Sequence, residues 1–143
     1  MTGNAAMFLR KAWYAAAFSE ELNRKLLPVS VLSERLVLYR RADGTPVALE
    51  DSCAHRRLPL SMGRLEGDSL RCLYHGIVYD PAGRCVQIPG EKHVPAGAGV
   101  RAYPALERHG FVWIWMGDPK TANAALIPDF ETAGDPRLET ANL

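Results

Sequence analysis

Two short segments constrain this chain more than anything else in it: Cys53-Ala54-His55 and, sixteen residues further on, Cys72-Leu73-Tyr74-His75. Each joins one thiol to one imidazole, in the same order, on a loop that leaves a strand-like run. Two such pairs demand a fold that sets two loops side by side, and a unit of paired strands does this directly. The flanking sequence agrees. Runs at 29–32 and 35–40 are rich in Val and Leu, and Asp43-Gly44 then signals a hairpin that returns antiparallel over 46–51. Glu66-Gly67-Asp68 separates short runs at 63–65 and 69–73, and Asp80-Pro81-Ala82-Gly83 joins 77–79 to 84–88. A fourth pair, 100–106 and 111–116, flanks His109-Gly110. Helix is scarce: one turn from Ser19, with Ser19 as its cap, and another over 121–126. Short strands at close spacing with turn chemistry between them predict an all-β antiparallel sandwich or small barrel.

With 143 residues, 48% apolar and 23% charged, the chain has the composition of one soluble globular domain. A net charge of +1 gives no reason to expect nucleic acid as a partner. No apolar run approaches the roughly 20 residues that span a bilayer, so no membrane is expected. Arg10 and Lys11 precede an apolar stretch from Ala12 to Phe18, but Glu20 and Glu21 follow at once, and the segment is not read as a secretory signal. Three cysteines do not make a disulfide framework. Reduced thiols or metal ligands fit better, which points to the cytoplasm.

The ligand spacing bears on the metal. Zinc sites usually group like ligands locally, Cys with Cys and His with His. Here each loop mixes the two, which suits a [2Fe–2S] cluster with both thiolates on one iron and both imidazoles on the other. Two ferric ions and two sulfides carry a formal double positive charge that two thiolates cancel. Four thiolates would leave the site doubly negative. An added electron is therefore opposed less with two imidazoles, which is why such sites lie at roughly −150 to +300 mV. A zinc-stabilised structural or interaction module stays open as an alternative, marked by a colourless protein.

The pattern Cys-x-His, a gap of this length and Cys-x2-His resembles the signature of Rieske proteins. The resemblance implies that Cys53 and Cys72 ligate an inner iron and His55 and His75 an outer one, in a cluster-binding subdomain of two ligand loops at about 51–90 within a Rieske domain spanning 1–143. Further segments are similar, in order, to oxygenase alpha subunits such as vanillate and dicamba O-demethylase components. They are Met7 to Tyr14, Val47-Ala48-Leu49-Glu50-Asp51, Arg64-Leu65, Gly110-Phe111-Val112-Trp113-Ile114-Trp115, Gly117-Asp118-Pro119 and Ile127-Pro128-Asp129. Ile77 departs from ring-hydroxylating relatives, many of which have Trp there. Respiratory Rieske proteins carry two further cysteines where this chain has Leu58 and Tyr74, and a serine where it has Ile77. With fewer hydrogen bonds to cluster sulfur, the resemblance implies a potential low in the Rieske range.

In that family a second domain holds a mononuclear Fe(II) through two His and a carboxylate. His93 and His109 do not form its close helical His pair and read as surface residues, so the catalytic domain is expected to be absent from this chain. The implied role is electron transfer: electrons accepted from a flavin or ferredoxin reductase are passed to mononuclear iron in an aromatic-ring or O-demethylating oxygenase. The family relays them across a subunit boundary within a homotrimer, with His75 as the exit. The alternative is a free-standing Rieske ferredoxin, distinguished by a reading frame that ends at Leu143. Arg57 is either part of a positive docking rim or solvated loop, Arg56 reads as structural beside the cluster, and Tyr74 either packs over the site or is plain core. Gly63 and Gly76 are expected to permit close approach or positive φ, and Pro89-Gly90 to form a third loop or an ordinary turn. Cys85 is expected to be a buried apolar side chain, and Trp113 and Trp115 to pack in the core or at a subunit interface.

Overall fold

The computed structural model describes residues 12–54, 58–73, 75–95 and 97–127. Among these residues, eleven strands build three antiparallel sheets. The first has the order β1 (Trp13–Phe18), β11 (Phe111–Trp115), β10 (Ala105–Arg108). The second runs β2 (Leu27–Val31), β3 (Glu34–Arg40), β4 (Pro46–Glu50), β9 (Ala102–Tyr103). The third is a meander of β5 (Arg64–Glu66), β6 (Ser69–Arg71), β7 (Val78–Tyr79) and β8 (Cys85–Gln87). Helical structure among the described residues is confined to 3-10 turns. The expected all-β antiparallel class is thus the observed one.

The second sheet is the middle layer, and β3 shows why. Leu36, Val37, Leu38 and Tyr39 are all at 0% exposure. Successive strand side chains point to opposite faces, so Leu36 and Leu38 join Ala17, Ala48, Val112 and Ile114 under the first sheet. Val37 and Tyr39 join Val47, Leu49, Leu70 and Tyr79 under the third. A strand buried on both faces reads as a continuous apolar run, as this one does. The same alternation on β11 sends Val112 and Ile114 inward. Trp113 and Trp115 point to the outer face, where they pack with Trp13 and Ile127. Each indole finds a carbonyl: Trp13 donates to Asn123, Trp113 to Arg108 and Trp115 to Asp118. Trp113 and Trp115 thus pack in the core, the first of the two places expected for them, and Trp13 joins them there.

Several boundaries differ from the sequence reading. Residues 13–18, Ala-rich and poor in β-branched side chains, form β1 because β11 offers an edge with which they register from Trp13↔Trp115 to Phe18↔Phe111. The run expected over 100–106 divides at Pro104, which has no N–H to give a ladder; β9 pairs with β4 and β10 with β11. Ser19 is not the cap of its turn: Phe18 holds that position, and its N–H donates to the Glu21 carboxylate at 2.8 Å. The stretch at 121–126 becomes two turns, Pro119–Thr121 and Ala124–Leu126, capped by the Asp118 and Asn123 side chains. The β2–β3 hairpin turns on Leu32 and Ser33, both at positive φ, with no glycine to announce it.

One side chain ties the layers at their edge. Arg40 donates to the carbonyls of Ser19, Leu22 and Gly44 and grips both oxygens of Glu107. This grip lowers the Glu107 pKa from 4.5 to about 2. A depressed carboxylate stabilises the fold above its ordinary value and loses that contribution as pH falls toward about 2. Arg40→Met is expected to cost about 1–3 kcal/mol, since it strips charged hydrogen bonds from main-chain carbonyls. Glu107→Gln should flatten the acid limb of a plot of melting temperature against pH, and less so at high salt, because Glu107 is part-exposed.

Candidate functional site

Both candidate ligand segments begin where a strand ends, one in the second sheet and one in the third. The first follows β4. Its approach is fixed by Asp51, 4% exposed, which accepts the Ser61 N–H and hydroxyl, each at 2.7 Å, while the Asp51 N–H donates to Arg35. The second follows β6 and feeds straight into β7. The two loops share one closure: Cys53 N–H donates to the Leu58 carbonyl and Cys72 N–H to the Ile77 carbonyl, each at 2.7 Å and each five residues on. Cys53 and Cys72 are both 2% exposed and belong to one core cluster with Leu60, Leu70, Ile77 and Tyr79. Two thiols thus point into the same interior from twin loops.

His75 lies outside that interior. It is exposed, in the left-handed region at φ 60, and is followed by Gly76 at φ 71. The chain therefore reverses within the loop, leaving the thiol of Cys72 inside and the imidazole of His75 at the surface. Gly63 behaves as expected: a Cβ there would stand 2.1 Å from the Arg71 carbonyl, so the turn after Leu60–Met62 can lie against the base of the second loop only without a side chain. His55, Arg56, Arg57 and Tyr74 lie outside the described residues. Among the described residues no three His, Cys, Asp or Glu side chains converge as a metal cage.

Tyr79 was missed by the sequence reading, which counted it only as a strand residue. Its hydroxyl lies 3.2 Å from Cys53 Sγ and accepts the Ala54 N–H at 3.1 Å. Burial first, and the Cys53 contact second, push its pKa well above the ordinary phenol value, so the phenol keeps its proton. Asp51 was also missed as a positioning group; an acid next to a ligand loop is its one sequence signal. Cys85 sits opposite Tyr79 on β8 and is half-buried, not buried as expected, because β8 is the outermost strand of the third sheet. His93 and His109 are exposed. Pro89 lines the same cavity, about 740 Å³, as Ala54, His75, Ile77 and Tyr79, so its segment lies against both ligand loops.

The donor set is chemically suited to an iron–sulfur cluster. Two thiols, buried together in apolar surroundings with the Tyr79 hydroxyl beside one of them, can hold a metal as thiolates. An imidazole at the rim can ligate from the solvent side.

Comparison with known proteins agrees with this chemistry. Residues 12–104 match the family model of the Rieske [2Fe-2S] domain. The chain is 47% identical over 125 residues to the iron-sulfur subunit of the toluene-4-sulfonate monooxygenase system of Comamonas testosteroni, covering 87% of this chain and 36% of that one. It is 46% identical over 134 residues to the oxygenase component of dicamba O-demethylase of Stenotrophomonas maltophilia, covering 93% of this chain and 40% of that one. The crystal structure of apo dicamba monooxygenase superposes with a TM-score of 0.83 at 46% identity, over 91% of this chain and 41% of that chain. The chain thus spans about two fifths of the length of these relatives. Gly63→Ala is expected to lower stability by about 1–3 kcal/mol through overpacking at the second loop, read as a lower urea midpoint with unchanged slope.

Proposed function

The chain belongs to the Rieske [2Fe–2S] domain family, and on that premise we propose that it is the electron-transfer domain of an oxygenase component. The observation that carries this reading is the pair of twin loops, which bury Cys53 and Cys72 in one core cluster and leave His75 exposed. Cys53 and Cys72 would hold the inner iron, His55 and His75 the outer. When bound, the cluster supplies a one-electron carrier. The protein's own part is positional and electrostatic. The twin closures fix where the two thiolates stand, the surrounding core keeps water from them, and the Tyr79 hydroxyl donates to Cys53 sulfur once that thiol has lost its proton. Such a hydrogen bond favours the more negative, reduced state. Ile77 contributes no side-chain donor, so Tyr79 offsets part of what a serine there would supply.

The exposed side of the site supports a partner there. His75 is flanked by Leu73, which is 67% exposed, with Met62 at 60% and Leu58 at 38% on neighbouring loops. We infer that a flavin or ferredoxin reductase and a catalytic domain with mononuclear iron are the partners, the latter from a neighbouring subunit of a homotrimer. The similarity to the dicamba and vanillate O-demethylase oxygenase components supports a small aromatic substrate and monooxygenase chemistry in the whole protein. Dioxygenase chemistry is the other form the proposal allows, and the cytoplasmic setting rests on reduced thiols. Among the described residues no helix is long and apolar enough to cross a membrane. This chain, with about 51–90 as its cluster-binding part, supplies the electron and not the oxygen chemistry.

Anaerobically reduced protein should give a rhombic EPR signal of low average g, broadened by nitrogen ligands. Metal-replete protein that is colourless and EPR-silent overturns the reading in favour of zinc. In the same preparation Tyr79→Phe should keep the cluster and lower its potential. A differential hydrogen-bond energy of ~0.5–1.5 kcal/mol corresponds, for one electron, to about 20–60 mV.

A further inference from the structure

The two ligand loops share their backbone closure but are braced differently, and the difference centres on Arg71. This residue ends β6, immediately before Cys72, and its guanidinium folds back over the loop that follows. Nη1 donates to the Gly76 carbonyl at 2.7 Å. The other edge of the fork, Nε and Nη2, is gripped by both oxygens of Glu66 on β5. Glu66 is itself steadied by Arg64 Nε at 3.0 Å. Arg71 and Glu66 shift each other's pKa toward the charged forms, through their mutual hydrogen bond before any other cause. The guanidinium is planar and all its donors on these two sides are used, so its orientation is set by the strand and not by solvent.

The carbonyl it captures sits at the sharpest point of the loop. His75 and Gly76 are consecutive residues in the left-handed region, which a residue with a side chain such as His adopts only at a cost. A Cβ on Gly76 would lie 3.2 Å from Arg71 Nη1 and 3.3 Å from Pro89, so the loop is held between the arginine and the Pro89 segment. Residues 71 and 72 thus both reach forward to the same reversal: Arg71 through its side chain to the Gly76 carbonyl, Cys72 through its N–H to the Ile77 carbonyl.

We propose that Arg71, oriented by Glu66, is a positioning residue that holds the second ligand loop in its left-handed turn and so sets where the His75 imidazole stands toward the cluster. The inference rests on the ligand assignment made above. It goes beyond that assignment by giving a strand residue and its carboxylate partner a part in ligand geometry. The fork matters because one donor must meet the carbonyl while the others are anchored, a division of labour that a flexible ammonium reproduces only in part.

The test uses the full chain loaded with iron and sulfide, compared with Arg71→Gln, Arg71→Lys and Glu66→Gln. The wild-type EPR signal checks the cluster reading on its own, and a wild type without it overturns both. Given that signal, Arg71→Gln should still assemble the cluster but release iron to a chelator at least about tenfold faster, with g values displaced from wild type. Arg71→Lys, which keeps a cationic donor for the Gly76 carbonyl but not the fork, should recover part of the retention, and Glu66→Gln should fall between Arg71→Gln and wild type. Wild-type g values in Arg71→Gln overturn the proposal even if iron is lost faster, because general destabilisation would do that without moving the ligand. A lysine variant as leaky as the glutamine variant also overturns it. Should Arg71→Gln fail to fold, Glu66→Gln decides: with the guanidinium present but no longer gripped, unchanged g values and iron retention refute the brace.

Discussion

Everything near the site depends on one strand having no solvent face. Leu36 to Tyr39 on β3 are fully buried, alternately against the first sheet and against the third. Burial of each such side chain is worth about 1.5–3 kcal/mol, so the middle sheet is the stable plane from which the other two are hung. The consequence for function is geometric. The loop carrying Cys53 leaves this sheet at β4, whereas the loop carrying Cys72 leaves the small meander at β6. The two thiols share an interior only because Val37, Tyr39, Val47 and Leu49 hold that meander against the middle layer.

Inside that arrangement, polarity is sorted by depth. The thiols are at 2% exposure and the second-loop imidazole is at the surface. A thiol is small and tolerates an apolar neighbourhood, but a thiolate there is costly unless a metal or a hydrogen bond meets it. Tyr79 meets one of them, and the backbone closures of both loops hold the two cysteines in place. An exposed imidazole keeps access to whatever approaches from outside. The same reversal at His75 and Gly76 thus satisfies two opposite demands within four residues of chain.

Much of this was legible beforehand, for physical reasons that can be named. The hairpin at Asp43-Gly44 and the turn at Asp80 to Gly83 announced themselves because their glycines are required: Gly44 has φ +94, and a Cβ on Gly83 would lie 2.3 Å from the Val100 carbonyl. The two Cys/His segments stood out because few residue types can ligate a metal and these two pairs repeat in the same order. What escaped was decided by tertiary partners. Residues 13–18 set three alanines between the strand-forming aromatics Trp13, Tyr14 and Phe18, a mixed signal that pairing with β11 resolves as β1. Leu32 and Ser33 make a tight hairpin turn that their types disfavour, held by a five-residue ladder from Leu27↔Leu38 to Val31↔Glu34. Tyr79 and Asp51 look like any strand tyrosine and any loop acid until Cys53 and Ser61 are seen beside them.

The far end of the meander explains how loops so rich in unusual backbone remain ordered. At the β5–β6 turn the Asp68 carboxylate accepts from Arg24 and from the Ala42 N–H, Arg24 also donates to the Gly67 carbonyl, and Tyr39 donates to the Asp68 carbonyl. That turn is therefore pinned to the middle sheet at the end opposite the ligand loops. A short meander held only by its apolar face could slide or tilt on the layer beneath it, and the spacing between the two Cys loops would change with it. With the distal turn fixed by polar bonds and the near end by the shared core, the remaining freedom lies in the loops themselves, where the Cys closures, Asp51 and Arg71 act. Order at the site is thus assembled in sequence, from layer to meander to loop, and each stage works because the one beneath it has already been immobilised.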